Sequence, residues 1–272
     1  MEIGVNIRRL REKQGLTQEQ LAEKLAVSFQ AISSWERDEY LPEASKLIKL
    51  ASILEVSIDS LVYGKGKPIE TKKEIFNWEH MKTYVKTLAH SLNMTNTLKA
   101  LDFASEAHKD RTRKNSDIPY IAHPLNMACH ALSMGIKDDE VVAAILLHDT
   151  VEDCESIGIE DLPVNDETKG LVRLLTKKDV SDEQKAERDD EYYKVLSSNP
   201  KAALIKCIDR CNNLSTMAWG FDREHQRQYL IEVDKYYPEL LNSLKRVPEY
   251  SSYYWLLKYQ IESMQDIYNE LI

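Results

Sequence analysis

Glycine and proline are scarce in this chain, eight of each among 272 residues, which favours long helices over a fold of many short strands. Apolar residues recur at helical spacing, and strand-like alternation never lasts more than a few residues. Helices are expected near Phe76 to Leu92, Thr95 to Asp110, Ala202 to Leu214, Tyr229 to Leu244 and Tyr253 to Leu271. Leu98, Leu101, Ala104, Ala107 and His108 share one stripe of the second. Val141 to Leu147 is apolar throughout and runs straight into His148, as in a helix buried at its centre. There is no internal repeat. The expected fold class is all-α.

The length exceeds one ordinary domain. Gly64-Lys-Gly-Lys-Pro68 breaks the helical pattern, and polar residues continue to about Lys73. Residues 1–66 are therefore predicted to form a small domain, 67–75 a linker and 76–272 a larger helical domain. Hydrophobic residues make up 43% and charged residues 30%, as in a foldable globular protein. The run from Val141 to Leu147 is too short to span a bilayer, and no signal peptide opens the chain. Cys129, Cys154, Cys207 and Cys211 form no CxxC pair, so free thiols in a cytoplasmic protein are expected. Net charge is −9, with 9 basic and 10 acidic residues before residue 67. Any polyanion must then be met by a local cationic cluster rather than by a global field.

In the N-terminal part, Asn6 to Gly15 reads as a basic amphipathic helix stopped by glycine. Thr17 is a suitable N-cap for the next helix, whose inner face is Leu21, Ala22 and Leu25. Ser28 caps a third, Phe29 to Arg37, after a two-residue joint. Two short helices joined so tightly must cross steeply, which is helix-turn-helix geometry. The stretch LREKQGLTQEQLAEKLAVSFQAISSWERDEYLPEASKLIKLASILEVSIDSL resembles the Xre/phage-repressor class, over residues 4–63. The resemblance implies a five-helix domain, an Arg11–Glu36 pair, and a recognition helix presenting Phe29, Gln30, Ser33 and Ser34 to DNA. Gln30 has the two-point geometry that reads adenine, and Phe29 could touch a thymine methyl. Ala26 stands where the tight turn usually carries Gly or Asn at positive φ. The competing reading is a domain that only dimerises or binds protein, because its recognition helix is poor in Lys and Arg.

Four fragments of the C-terminal part bear chemistry: Arg113-Lys114 followed by Pro119-Tyr-Ile-Ala-His123-Pro; His148-Asp-Thr-Val-Glu152-Asp153; Thr176-Lys-Lys178; and Lys206-Cys-Ile-Asp209-Arg-Cys-Asn-Asn213. Adjacent helical residues point about 100° apart, so His148 and Asp149 can share a metal only where helices crowd together. His123 and Asp209 are the natural further ligands. Two imidazoles and two carboxylates suit Mn²⁺, Fe²⁺ or Zn²⁺. Glu152 sits four residues after His148 on the same helical face, and Asp153 four after Asp149, placed to orient water and take its proton. Read alone, each piece has a plainer explanation, such as a solvated acidic face or a helix-end histidine. The ordered combination is what points to a metal site. His108 and His130 lack such partners and are expected to be structural.

These fragments, in order over about residues 96–245, resemble the HD superfamily and more narrowly the hydrolase domain of Rel/SpoT and small alarmone hydrolases. The resemblance implies a helical HD phosphohydrolase domain. It implies Mn²⁺ on His123, His148, Asp149 and Asp209, catalytic Glu152 and Asp153, and substrate contacts from Arg113, Lys114 and Asn213. The implied reaction removes pyrophosphate from the 3′ position of (p)ppGpp or a related purine alarmone. This chain departs from the pattern at Asp110-Arg111, at Asn212 where a histidine often stands, and by one extra residue before Pro119. No room remains for a following synthetase domain, so a hydrolase-only chain is expected. The alternatives are an alarmone-sensing repressor with little turnover, and a hydrolase of another 3′-phosphorylated nucleotide. A homodimer is expected by analogy with repressors, and no membrane partner. Tyrosines outnumber phenylalanines 14 to 4. Among Tyr192, Tyr193, Tyr236 and Tyr237 one could stack a purine, although core-edge packing is the plainer role. Lys185 to Glu191 reads as a charged surface loop or a helix start.

Overall fold

The computed structural model describes residues 3–63, 77–113, 118–154 and 156–272. Lys114 and the expected linker, 67–75, lie outside the described residues. The chain divides into two compact units, Met1–Ile75 and Phe76–Ile272. Among the described residues the elements are helical, apart from one isolated bridge between Thr112 and Pro119. No described helix is long and apolar enough to cross a membrane.

In the first unit, α1 (Ile3–Lys13), α2 (Gln18–Leu25), α3 (Phe29–Glu36), α4 (Ala44–Ile53) and α5 (Ile58–Tyr63) enclose Ile7, Leu21, Leu25, Ile32, Leu50 and Leu61. Local chemistry sets the helix-turn-helix. The Thr17 hydroxyl accepts the Gln20 amide while the Gln20 side chain accepts the Thr17 amide, a reciprocal cap. Ser28 caps α3 by accepting the Ala31 amide at 3.3 Å. Ala26 ends α2 in the left-handed region at φ 52°, as its place in the turn requires. A single methyl makes that conformation costly but not prohibitive. Arg11 and Glu36 form a buried two-point ion pair, Nε–Oε1 2.6 Å and Nη2–Oε2 3.1 Å. Leu16 carbonyl and Gln18 complete it, so α1, the turn into α2 and the end of α3 share one polar knot.

Gly4 carries a constraint that spacing alone does not reveal. A Cβ there would lie 2.1 Å from the Trp35 carbonyl oxygen, and the Gly4 amide donates to Asp38 at 2.7 Å. Of the residues expected to face DNA, Phe29 and Gln30 are exposed, whereas Ser33 and Ser34 are half-buried and engaged within the chain. Arg37 donates to Ser33, and Ser34 donates to Glu39.

The second unit is built from α6 (Trp78–Ser91), α7 (Thr95–Ala107), α8 (Ala122–Ser133), α9 (Asp139–Leu147), α10 (Thr150–Asp153), α11 (Asp166–Leu175), α12 (Lys185–Ser198), α13 (Pro200–Gly220), α14 (Arg223–Lys245) and α15 (Ser251–Leu271). α9 is buried from Val141 to Leu147 and packs on α7, α8 and α11, while α13 packs on α8, α14 and α15. The charged run from Lys185 begins a helix. Tyr192, Tyr193 and Tyr237 are buried in the core, which supports their plainer reading. His108 and His130 are held within the packed unit, and the four cysteines are free.

One helix boundary departs from expectation. The HDxxED block does not lie on one continuous helix: α9 stops at Leu147, His148 and Asp149 form a turn, and α10 starts at Thr150. The His148 ring takes the Ile145 carbonyl at 2.9 Å, satisfying a helix-end acceptor with a side chain. Glu152 is therefore not aligned with His148 by a helical turn.

Replacing Glu36 with Ala leaves Arg11 buried without its counter-charge and should cost about 3 kcal/mol. Ala26→Gly should instead add about 1 kcal/mol by relieving the left-handed turn. Denaturant unfolding of the two variants should move in opposite directions. Equal midpoints would remove both arguments.

Candidate metal centre

The second unit gathers four expected ligands from three places. His123 is the second residue of α8, His148-Asp149 is the break between α9 and α10, and Asp209 lies in α13. His123, His148 and Asp149 offer ligand atoms within 4.8 Å of one another. Asp209 Oδ1 is 3.3 Å from His123 Nε2 and 3.9 Å from His148 Nε2. His148 Nε2 is 3.0 Å from Asp149 Oδ1, and His123 Nε2 is 3.7 Å from Asp149 Oδ2. Three of the four residues are almost fully buried; Asp149 keeps 28% of its side chain exposed.

The tautomers follow from what the other ring nitrogens do. His148 Nδ1 donates to Ile145, so Nε2 presents a lone pair and, though buried, makes no hydrogen bond. Asn212 Oδ1 accepts from His123 Nδ1 at 2.5 Å, turning the second Nε2 lone pair to the same point. Lone pairs facing carboxylate oxygens repel unless a positive charge lies among them. Two imidazoles and two carboxylates, with an unsatisfied buried nitrogen between them, fit a divalent cation.

Charge accounting leads to the same place. Burial acts to lower the pKa of His148, but Asp149 and then Asp209 outweigh it and push it up to about 9. Burial acts to raise Asp149 and Asp209. The histidines hold Asp149 low, and Lys206 with the histidines holds Asp209 far below the usual carboxylate range. The centre thus attracts a cation, whether a proton or a metal.

Supporting residues surround it. Tyr120 donates to Asp149 Oδ2 at 2.8 Å, and burial together with Asp149 and Asp153 raises its phenol far above normal, so it stays a donor. The His108 ring stacks on Tyr120 with centroids 4.7 Å apart. Lys206 donates to Asp209 Oδ2 at 2.8 Å, leaving Oδ1 turned to the histidines. Asn213 donates to Asp209 Oδ1 at 2.6 Å and accepts from Arg113 at 3.0 Å, so two of the expected substrate contacts reach the ligand cluster. Glu152 accepts the Lys177 amide at the outer edge. Loss of water around its carboxyl raises its pKa against that amide, and Asp149's charge adds to the rise. Asp153 holds one carboxylate oxygen buried without a partner, and its carbonyl accepts from Arg111.

The candidate ligands are evident in the sequence, but their supports are not. Asn212 stands out in sequence only as a departure, and Tyr120 and Lys206 only as motif members. Their signal is positional: Tyr120 is three residues before His123, and Lys206 and Asn212 lie three residues either side of Asp209, one turn away on the same helix.

Comparison with known proteins adds family membership. Residues 7–61 match a helix-turn-helix family model and residues 100–244 an HD domain model. A guanosine-3′,5′-bis(diphosphate) 3′-pyrophosphohydrolase of Aquifex aeolicus is 33% identical over 150 residues, covering 54% of this chain and 21% of that protein. A Streptomyces coelicolor GTP pyrophosphokinase is 33% identical over 159 residues, covering 55% and 18%. A probable 3′-pyrophosphohydrolase of the same name from Synechocystis is 29% identical over 179 residues, covering 63% and 22%. The chain spans about a fifth of the length of these curated relatives. A solved structure, reported as "A metazoan ortholog of SpoT hydrolyzes ppGpp and plays a role in starvation responses", is similar in fold. Its TM-score is 0.50 at 24% identity, covering 62% of this chain and 93% of that one. With the HD domain model matching more than half of its residues, behind a helix-turn-helix domain, the chain belongs to the HD domain family.

Proposed function

We propose that the second unit hydrolyses the 3′-pyrophosphate of (p)ppGpp or a related purine alarmone, and that the first unit binds DNA. The convergence of His123, His148, Asp149 and Asp209 with their lone pairs inward carries this reading. The names of the matched relatives supply the substrate class. These four residues would hold one divalent ion, with Mn²⁺ the family expectation and Fe²⁺ or Zn²⁺ compatible with the same donors. When bound, such an ion lowers the pKa of a coordinated water toward neutrality.

The chain's own residues do the rest. Glu152, raised by its surroundings and fixed by the Lys177 amide, is suited to take a proton from attacking water. Asp153, with a buried unpartnered oxygen, is the second carboxylate for orienting it. Arg113, whose guanidinium reaches Asn213, supplies charge and planar donors for phosphate oxygens, with Lys114 next to it in sequence. Asn213 has the reach to steady a ribose or phosphate oxygen. Tyr120 and Lys206 orient the ligands. In the first unit, the exposed Phe29 and Gln30 are the direct base readers. Ser33 and Ser34 can contribute only by exchanging their bonds to Arg37 and Glu39. A cytoplasmic homodimer acting at an operator completes the proposal.

Asp149→Ala should abolish both metal binding and pyrophosphate release from ppGpp. Glu152→Gln should keep metal content while lowering kcat by about a hundredfold or more. Retained turnover in Asp149→Ala would falsify the ligand assignment. A chain that binds ppGpp and metal without turnover would instead favour the sensing repressor.

Metal affinity should rise with pH. In the metal-free centre His148 carries a proton below about 9, and the ion must displace it. Affinity should therefore fall about tenfold for each pH unit below that point. Calorimetric titration in buffers of different ionisation enthalpy would count the released proton. An unchanged affinity between neutral and alkaline pH would contradict the neutral-ligand assignment.

On selected operator DNA, Gln30→Ala should relax preference at one A·T pair by about 1–3 kcal/mol, with little effect on other positions. A uniform loss across sequences would assign Gln30 to the backbone rather than to a base.

A further inference from the structure

Beyond the ligands and their supports lies a second charged cluster with no part in the mechanism above. Glu232, on α14, receives three donors: Arg210 Nη2 at 3.1 Å, Lys177 Nζ at 3.4 Å and the Tyr193 hydroxyl. Asp189 on α12 also takes Lys177 Nζ, at 3.3 Å. The ammonium lies over the Tyr192 and Tyr193 rings, 5.1 and 5.2 Å from their centroids. Tyr192 in turn donates to the Leu175 carbonyl at 2.7 Å, at the end of α11. Five contacts thus pin one lysine and the chain leading into it.

Arg210 alone does not account for this arrangement. It is buried, stacked 3.5 Å from the Tyr229 centroid, and Glu232 is its counter-charge. A structural counter-ion needs no second cation, yet Glu232 and Asp189 together restrain a lysine that keeps 25% of its side chain exposed. Ordering so flexible a side chain is costly in conformational entropy, so its confinement calls for a return. That return lies in the backbone. Thr176 still bonds to Val172 as the last amide of α11, and Lys177 supplies the first amide beyond the helix. Glu152 accepts it.

We propose that Glu232 is a positioning residue for the hydrolase: through Lys177 it fixes the main-chain amide that holds Glu152 beside the ligand cluster. This rests on the proposed role of Glu152 in proton transfer. Burial acts to raise Glu232, but Arg210 and then Lys177 outweigh it and bring it down to about 2, so the clamp is charged at any working pH. The contacts join the end of α11, α12 and α14 to an acid 80 residues away from Glu232 in sequence.

The test uses the full, metal-loaded chain with Glu232→Gln, Lys177→Met, their combination, and Lys177→Arg. Lys177→Met keeps the Arg210–Glu232 pair intact and so guards against simple misfolding. Glu232→Gln and Lys177→Met should each lower kcat on ppGpp ten- to a hundredfold, with KM within about twofold and metal content unchanged. The double variant should lose no more than the worse single one, because both break the same link. Lys177→Arg should recover most of the rate. In protein labelled at lysine with ¹⁵N, the Lys177 amide of Glu232→Gln should exchange with solvent about tenfold faster than in the unaltered chain. Unchanged kcat with unchanged exchange would overturn the proposal. So would a raised KM at constant kcat, which would make Lys177 a substrate contact. If the unaltered chain is inert toward ppGpp, the substrate reading fails, and the exchange measurement still decides whether Glu232 holds this amide.

Discussion

The second unit is organised around a cluster that demands a positive charge. Two buried imidazole nitrogens and two carboxylates face each other at 3.0 to 3.9 Å with lone pairs inward. Left to themselves these groups would separate or take up protons. The fold prevents separation by engaging the far side of each: Ile145 and Asn212 fix the histidines, while Tyr120 and Lys206 fix the aspartates. Ile145 comes from α9 and Asn212 and Lys206 from α13, both largely buried in the apolar core, while Tyr120 comes from the turn before α8. Hydrophobic burial thus holds a cation site open, and rigid packing converts what would be a local instability into affinity.

Much of this was legible in the sequence, for reasons that differ from residue to residue. Thr17, Ser28 and Ala26 act on neighbours within a few residues, so their roles follow from spacing. The Arg11–Glu36 pair spans 25 residues but was reachable through the family pattern. Gly4 was not, because its constraint is a carbonyl at Trp35, and nothing near Gly4 in sequence marks that approach. In the second unit the ligands were named by the order of their motifs. The break at His148-Asp149 was hidden, since an apolar run entering HDxxED looks like continuous helix until the His148 side chain competes for the Ile145 carbonyl. The Glu232 clamp was equally invisible: Lys177 and Glu232 lie 55 residues apart and meet only after α11, α12 and α14 have packed.

Cation pairing near the centre bears on how an acidic unit can meet a polyphosphate. Lys206 is committed to Asp209, Lys177 to Asp189 and Glu232, and Arg210 to Glu232. These charges are already matched, so they steer ligands weakly and position neighbours strongly. Arg113, whose reach to Asn213 sets it beside the ligand cluster, is the cation proposed to meet phosphate.

Asn212 shows how a departure from a family pattern can be read physically. An amide oxygen can only accept, so at 2.5 Å it requires the proton on His123 Nδ1 and hence a bare Nε2. A histidine in that place could accept or donate, and near neutral pH it could also gain a proton and become a donor to its neighbour. The amide does not titrate in this range. Asparagine therefore places no titrating group at this point, and its oxygen orients His123.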